Sequence, residues 1–254
     1  MDKLFNPFSL EGKTIVVTGA SSGIGRQCAI DCAKMGAKII AIGRNQERLD
    51  ETVIEMEGNG VSYSYDLSNI ECIKELIGRI VEKHGKIDGF IHAAGIEVTN
   101  PVKLSKPEEF ESLFHVNCLS AFEIVKQLCS IKTFNKGGSI VLISSISGVI
   151  ARKGLSAYAA SKGALMSAAR VMALEMAHRE VRVNTVSPGT ILTPMMQKAL
   201  DGMKEEERKA RIDGFPLGLG QTTDISNACI YLLSDASRWV TGQNLIVDGG
   251  YTAK

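Results

Sequence analysis

Apolar residues along this chain fall into two alternating patterns. Seven short runs are almost continuously apolar or β-branched: KTIVVTGA, AKIIAIG, VSYSYD, IDGFIHAAG, GSIVLISS, VRVNTVSPG and NLIVDGG. Gly, Asp, Ser or Pro bounds most of them, so each reads as a strand. The segments between are longer, and in QERLDETVIEME, NIECIKELIGRIVEKHG and PEEFESLFHVNCLSAFEIVKQLCS the apolar positions recur three or four residues apart. That spacing predicts amphipathic helices. Strand followed by helix, repeated, predicts an α/β architecture: a doubly wound sheet of seven mostly parallel strands covered by helices on both faces. Nothing in the pattern resembles a linker, a low-complexity tract or a repeat, so residues 1–254 read as a single domain. One stretch breaks the rhythm. MMQKALDGMKEEERKARIDGFPLGLG is charged and helical but follows no strand, and residues 190–220 are expected to form a surface excursion, a lid beside the site.

Composition narrows the partner. Twenty-nine basic residues stand against 28 acidic ones, a formal charge of +1, so no broad field draws in nucleic acid or a membrane surface. A small molecule is the expected partner. No stretch approaches 18 uninterrupted apolar residues, and the opening MDKLFNPFSLEGK lacks a long apolar core with a cleavage site. The chain therefore reads as a soluble cytoplasmic protein. Its six cysteines are scattered without a CxxC pair and are expected to be buried free thiols. Cys28 and Cys32 share a helix face, but a structural metal would need further ligands nearby, so no metal is expected.

The first apolar run ends in VVTGASSGIGR. In a doubly wound sheet, ligands bind outside the carboxyl ends of the strands, and the first strand-to-helix turn lies at that crevice. Glycines there allow a sharp turn and let backbone N–H groups approach a pyrophosphate. Gly19, Gly23 and Gly25 are the expected cradle, with Ser21 and Ser22 between them. The spacing is not GxGxxG and no GK[ST] follows, which disfavours a triphosphatase. Alone, such a cluster also fits a tight turn with no ligand. The second run ends in AIGRN. An acid there would bind the ribose 2′-OH of NAD, whereas Gly43 has no carboxylate and Arg44, followed by Asn45, offers a planar charged fork for the 2′-phosphate of NADP. NADP(H) is the expected cofactor, with NAD(H) the alternative; a merely solvated loop arginine is the plain reading of Arg44.

A second cluster carries chemistry. In LISSISGVIARKGLSAYAASKGAL, Tyr158 and Lys162 lie four apart on one helix face. An ammonium close to a phenol lowers its pKa toward neutrality. A bare YxxxK also fits an ordinary helix surface, but Ser145 lies 13 residues before Tyr158 at the carboxyl end of a strand.

With these motifs in order the chain resembles the short-chain dehydrogenase/reductase family, a Rossmann-type fold, from about Leu10 to Tyr251. TGASSGIG, Asp66 in YDLS, HAAG, Asn117 in HVNCLS, the serine pair followed by YxxxK, SPG at Ser187 to Gly189 and VTGQNLIVDGG carry the resemblance. It implies Tyr158 as general acid/base, Lys162 as the group that lowers its pKa and holds the nicotinamide ribose, and Ser145 as the hydrogen-bond partner of the substrate carbonyl. Asn117 would hold a local helix distortion and a relay water. Gly19, Ser21, Gly23, Ile24 and Gly25 match the cofactor loop, Asp66 and Leu67 the adenine pocket, and Ala94 and Gly95 the wall beside the ribose. Pro188, Gly189, Ile191 and Thr193 match the segment that orients the nicotinamide. Two departures stand out: His92 and Ala93 replace the usual asparagines, and PLGLGQ lacks the arginine common in close relatives. His92 reads as a satisfied core histidine.

The implied function is reduction of a ketone or aldehyde to an alcohol, or the reverse. The nearest branch is the 3-oxoacyl-(acyl-carrier-protein) reductases, with Lys136 and Arg179 near positions where that branch docks an acidic carrier. Sugar, polyol, steroid and cyclic-ketone oxidoreductases share the scaffold, and Met195, Met196 and Met203 fit either an apolar substrate wall or the core of the lid itself. A hydrolase is disfavoured because Ser145 has no histidine partner evident in the sequence. A non-catalytic NADP(H) sensor or scaffold is the rival from another class. Relatives assemble through the helices carrying Asn117 and Tyr158, so a homotetramer is expected.

Overall fold

The computed structural model describes residues 6–253. The seven expected runs form one sheet of strands β1 (Thr14–Thr18), β2 (Lys38–Gly43), β3 (Gly60–Ser64), β4 (Ile87–His92), β5 (Phe134–Ile143), β6 (Arg182–Pro188) and β7 (Asn244–Val247). Their order is β3-β2-β1-β4-β5-β6-β7, and every pairing is parallel. Strand β5 begins four residues before its expected run.

Alternation along each strand feeds two separate cores. Ile15, Val17, Ile39, Ala41, Ile91 and Val141 face helices α1 (Gly23–Lys34) and α9 (Thr222–Leu233). Val16, Ile40, Ile42, Phe90, Ile140 and Leu142 face α3 (Ile73–His84), α5 (Ser120–Leu128) and α6 (Ser156–Met176). Each fully buried Val, Leu, Ile or Phe among these stabilises the fold by about 1.5–3 kcal/mol. Burial on both faces explains why the strands read as continuous apolar runs.

After β1 the chain builds β2 and β3 on one side, then crosses to place β4 on the other. The carboxyl ends of β1 and β4 therefore diverge, opening the crevice of a doubly wound sheet. Helix α2 (Gln46–Glu55) follows β2, and α4 (Pro107–Phe114) starts on a proline, whose missing N–H costs nothing at a first turn. The long amphipathic stretch expected after β4 is not one helix: a π-helical turn, His115–Leu119, separates α4 from α5. Between β6 and α9, the 190–220 excursion folds as α7 (Pro194–Asp201) and α8 (Glu205–Asp213), joined at its base by a bridge between Ile191 and Gly220.

Among the described residues no helix is long and apolar enough to cross a membrane, and no cluster of three or more His, Cys, Asp or Glu could hold a metal ion. All six thiols are free, but only four are buried; Cys72 and Cys129 are exposed at the ends of surface helices.

Candidate active site

The turn after β1 is built around absent side chains. Gly19 has φ +69°, and a Cβ there would lie 2.8 Å from the Ala94 nitrogen. A Cβ on Gly25 would lie 2.4 Å from the Gly19 carbonyl oxygen, so α1 can approach β1 only through glycine. Gly23 has φ +54°, and a Cβ there would lie 3.3 Å from the Thr193 methyl. The Ser22 side chain makes no capping bond, although it precedes the first turn of α1. Backbone N–H groups at this helix start favour an anion. A cavity of about 720 Å³ opens from this turn, lined there by Gly19, Ser21, Ser22, Gly23, Ile24 and Gly25.

One end of the cavity runs to the tips of β2 and β3, where Arg44, Asp66 and Leu67 line it. Gly43 could not carry an acid without displacement, since its Cβ would meet Ser21 and Leu49 at 3.2–3.3 Å. Arg48, one helical turn beyond Arg44, is a second guanidinium on this wall. The Asp66 carboxyl is held below its usual range by the Ser68 backbone N–H, which it accepts at 3.0 Å, and also by Arg44. Asn45 lies off the cavity wall. Its side chain caps α2, accepting from the Arg48 N–H at 2.9 Å.

The other end collects the residues of the second cluster. Ser145, at the tip of β5, accepts from the Ser147 N–H at 3.1 Å and lies beside the hydroxyl of Tyr158, from the first turn of α6. Lys162, one turn on and 4% exposed, donates to the Ile143 carbonyl at 2.9 Å, and its Nζ lies 5.8 Å from the centroid of the Tyr158 ring. Burial pulls Lys162 down to about 8. Tyr158 does not follow the expected direction. Burial first, and then the Glu97 carboxylate, push its phenol up to about 12, while the Ser145 hydroxyl pulls the other way. Desolvation outweighs an ammonium that sits over the ring face and is turned toward a carbonyl.

Ala94, Gly95, Pro188, Gly189, Ile191 and Thr193 line the same cavity. Asn117 does not. It is wholly buried at the centre of the π-helical turn, where its amide accepts from the Ile96 N–H at 2.8 Å and donates to the Ile96 carbonyl and to Ser161, both at 3.0 Å. It ties the segment after β4 to α6. Its side chain would reach a ligand only through neighbours.

His92 is wholly buried, and its expected satisfaction is only half met. Nδ1 lies 3.0 Å from the Thr18 hydroxyl, but Nε2 faces the Val116 and Asn117 carbonyls without reaching hydrogen-bond geometry. Burial, and then Lys162, drop its pKa to about 3.

Lys136 and Arg179 lie away from this cavity, at the opposite end of the sheet, and both are already engaged. Lys136 pairs with Glu180 at 2.7 Å, while Arg179 donates to the carbonyls of Cys129 and Phe134. Met195, 69% exposed, and Met196 border the cavity; Met203 does not. Several lining residues were not singled out from the sequence: Tyr65, Glu97, Arg152, Arg211, Phe215 and Tyr251. They sit in loops or in the 190–220 excursion, where a lone charge or ring looks like any surface residue.

The family model described as Enoyl-(Acyl carrier protein) reductase matches residues 19–252. The chain is 35% identical over 245 residues to 3-oxoacyl-(acyl-carrier-protein) reductase FabG of Thermotoga maritima, covering 95% of this chain and 98% of that one. Among solved structures, one from Beutenbergia cavernae, provisionally assigned as an NAD(P)-dependent gluconate 5-dehydrogenase and carrying NADP at low occupancy, superposes with a TM-score of 0.89. Its identity is 31%, over 98% of this chain and 100% of that chain. A short-chain type dehydrogenase/reductase from Mycobacterium ulcerans superposes with a TM-score of 0.88 at 28% identity, covering 97% of this chain and 92% of that one.

Proposed function

The chain belongs to the short-chain dehydrogenase/reductase family, and from that premise we propose that it interconverts a carbonyl and an alcohol with NADP(H) as preferred cofactor. One observation carries this reading: Ser145, Tyr158 and Lys162 converge on the cavity that begins at the glycine turn of β1. The residues present fit a dinucleotide. The turn leaves room where Cβ atoms would stand, and Arg44 and Arg48 offer guanidinium forks where a 2′-phosphate would lie. The nicotinamide, when bound, supplies or accepts the hydride.

The chain's own residues supply the proton and the orientation. A phenol at about 12 is fully protonated at neutral pH, so Tyr158 is ready to donate to a carbonyl oxygen. Ser145, steadied by the Ser147 N–H, presents its hydroxyl to the same oxygen. Lys162 has one of its three N–H bonds committed to Ile143, leaving two for the ribose and for the phenolate that forms. Its charge persists below about pH 8 and stabilises that phenolate. Asn117 acts as a positioning residue, bracing the cavity wall at Ile96 against α6.

The test is NADPH oxidation by the purified protein against a panel containing acetoacetyl-(acyl carrier protein), a cyclic ketone and a keto sugar. Turnover is expected on at least one of them, with Tyr158→Phe lowering kcat by at least about 100-fold while NADPH titrations stay near wild type. A Tyr158→Phe protein with near wild-type rate overturns the role of the phenol. NADPH binding without turnover of any carbonyl overturns the enzyme reading in favour of a nucleotide sensor.

A further inference from the structure

Resting on the carbonyl–alcohol reading above, we propose that the substrate carries an anionic group, a carboxylate or a phosphate, held between Arg152 and Arg211 at the Tyr158 end of the cavity. Both arginines line the cavity that Ser145 and Tyr158 share. They reach it from different parts of the fold: Arg152 from the loop between β5 and α6, Arg211 from α8 of the 190–220 excursion.

Arg152 is exposed, whereas Arg211 is half-buried, and its lack of a partner is the unusual feature. Other half-buried or buried arginines in this chain are tied down: Arg179 donates to the ends of α5 and β5, and Arg182 donates to the Ser237 hydroxyl at 2.8 Å and the Ser234 carbonyl at 3.1 Å. Among the described residues, Arg152 and Arg211 have neither a side-chain hydrogen bond nor an ion pair. Instead they oppose each other. Burial, and then the charge of Arg152, hold Arg211 below the usual arginine range. Glu97 attracts Arg211 from across the cavity but forms no ion pair with it, and Lys198 adds a further positive charge to the wall.

Two guanidiniums brought together with no carboxylate in ion-pair contact repel, and the partial burial of Arg211 raises the cost. An anion between them removes the repulsion and accepts from both planar forks. The phosphates of a dinucleotide do not meet this need, because the glycine turn and Arg44 take them at the other end. Beside the pair, Phe215 and Tyr251 lie 4.4 Å apart between centroids and, with Ile150, give a carbon skeleton an apolar surface. One arginine is on the scaffold and the other on the excursion. An anion held by both draws the excursion over Ser145 and Tyr158.

The experiment compares three matched carbonyl compounds with NADPH: a neutral ketose, the sugar acid bearing the same ketone, and the ketose phosphate. At least one anionic member is expected to exceed the neutral one in kcat/KM by about tenfold or more, the worth of one charge-assisted hydrogen bond. Arg152→Ala and Arg211→Ala should each collapse that ratio toward parity through KM, with Arg→Lys restoring part of it. Calorimetric titration of the charged alcohol product into NADP-loaded protein supplies a readout besides turnover, and NADPH titration checks that each variant folds. Preference for the acid or for the phosphate supports the proposal and identifies the anion. Turnover with no preference for either overturns it and leaves the carbonyl reading intact. Absence of turnover together with arginine-dependent anion binding keeps the anion site and overturns the carbonyl reading.

Discussion

His92 shows how a single residue sets a pH dependence that no surface charge could. In the folded chain its pKa is about 3, whereas the unfolded chain protonates it near 6.5. Between those values the unfolded state binds one more proton than the folded state, so stability rises with pH across this window and is lost as pH falls from 6.5 toward 3. The full difference is on the order of 4–5 kcal/mol, a large share of a typical folding free energy. His92→Asn keeps a polar side chain beside Thr18 and cannot titrate, so it should flatten the pH dependence of the urea midpoint between pH 6.5 and 4. A variant with an unchanged acid slope would place the lability elsewhere. The same residue marks where sequence reading stops. Ser145, Tyr158, Lys162 and the glycines were legible because each sits at a fixed offset from a strand end. The empty Nε2 of His92, the push of Glu97 on Tyr158 and the opposition of Arg152 to Arg211 depend on partners far away in sequence. No local pattern encodes them.

At the scale of the element, the strand–turn–helix unit of β1 and α1 works because the helix start lies almost against the turn. Alanine is the better helix former, worth up to about 1 kcal/mol over glycine in a helix interior. At Gly25 that gain is overruled, because the new Cβ would stand 2.4 Å from the Gly19 carbonyl oxygen and neither backbone can yield cheaply. Gly25→Ala should therefore cost about 2 kcal/mol or more and weaken NADPH binding, as α1 is pushed off the turn. Gly78→Ala in α3 is the matched control: its Cβ meets nothing within 4 Å, so it should stabilise by up to about 1 kcal/mol. Equal effects at the two sites, read from denaturant midpoints, would remove the close-approach argument. Elements themselves were read well from the chain, since the five inner strands are buried on both faces and leave apolar runs, while the half-buried edge strands β3 and β7 leave shorter ones. What the apolar spacing did not show was the break at His115–Leu119, which only the resemblance pointed to, through the helix distortion it implied at Asn117. The apolar spacing of a π-helical turn merges with that of the helices around it, and only the buried amide of Asn117, bonded to Ile96 and Ser161, shows where the ladder is broken.

Across the whole molecule, the cavity joins parts that the strand order separates. Its wall takes residues from the tips of β2 and β3 on one side, β4, β5 and β6 on the other, and the excursion above. A dinucleotide lying along it would bind only the folded arrangement, so binding free energy adds directly to folding free energy. At a concentration 100 times its Kd, NADPH should add about 2.7 kcal/mol, which for a chain of this size corresponds to roughly 5–10 °C in Tm. NADH at the same concentration should give a smaller shift, because its free 2′-hydroxyl cannot engage the charges of Arg44 and Arg48 at the tip of β2. Arg44→Asp should then shrink the NADPH shift and spare the NADH shift, by replacing a phosphate-binding fork with a carboxylate suited to a hydroxyl. Thermal melts of both proteins with both nucleotides separate the outcomes. Equal shifts from the two nucleotides in the wild-type chain would overturn the NADP preference while leaving a dinucleotide site, and no shift from either would remove the dinucleotide itself.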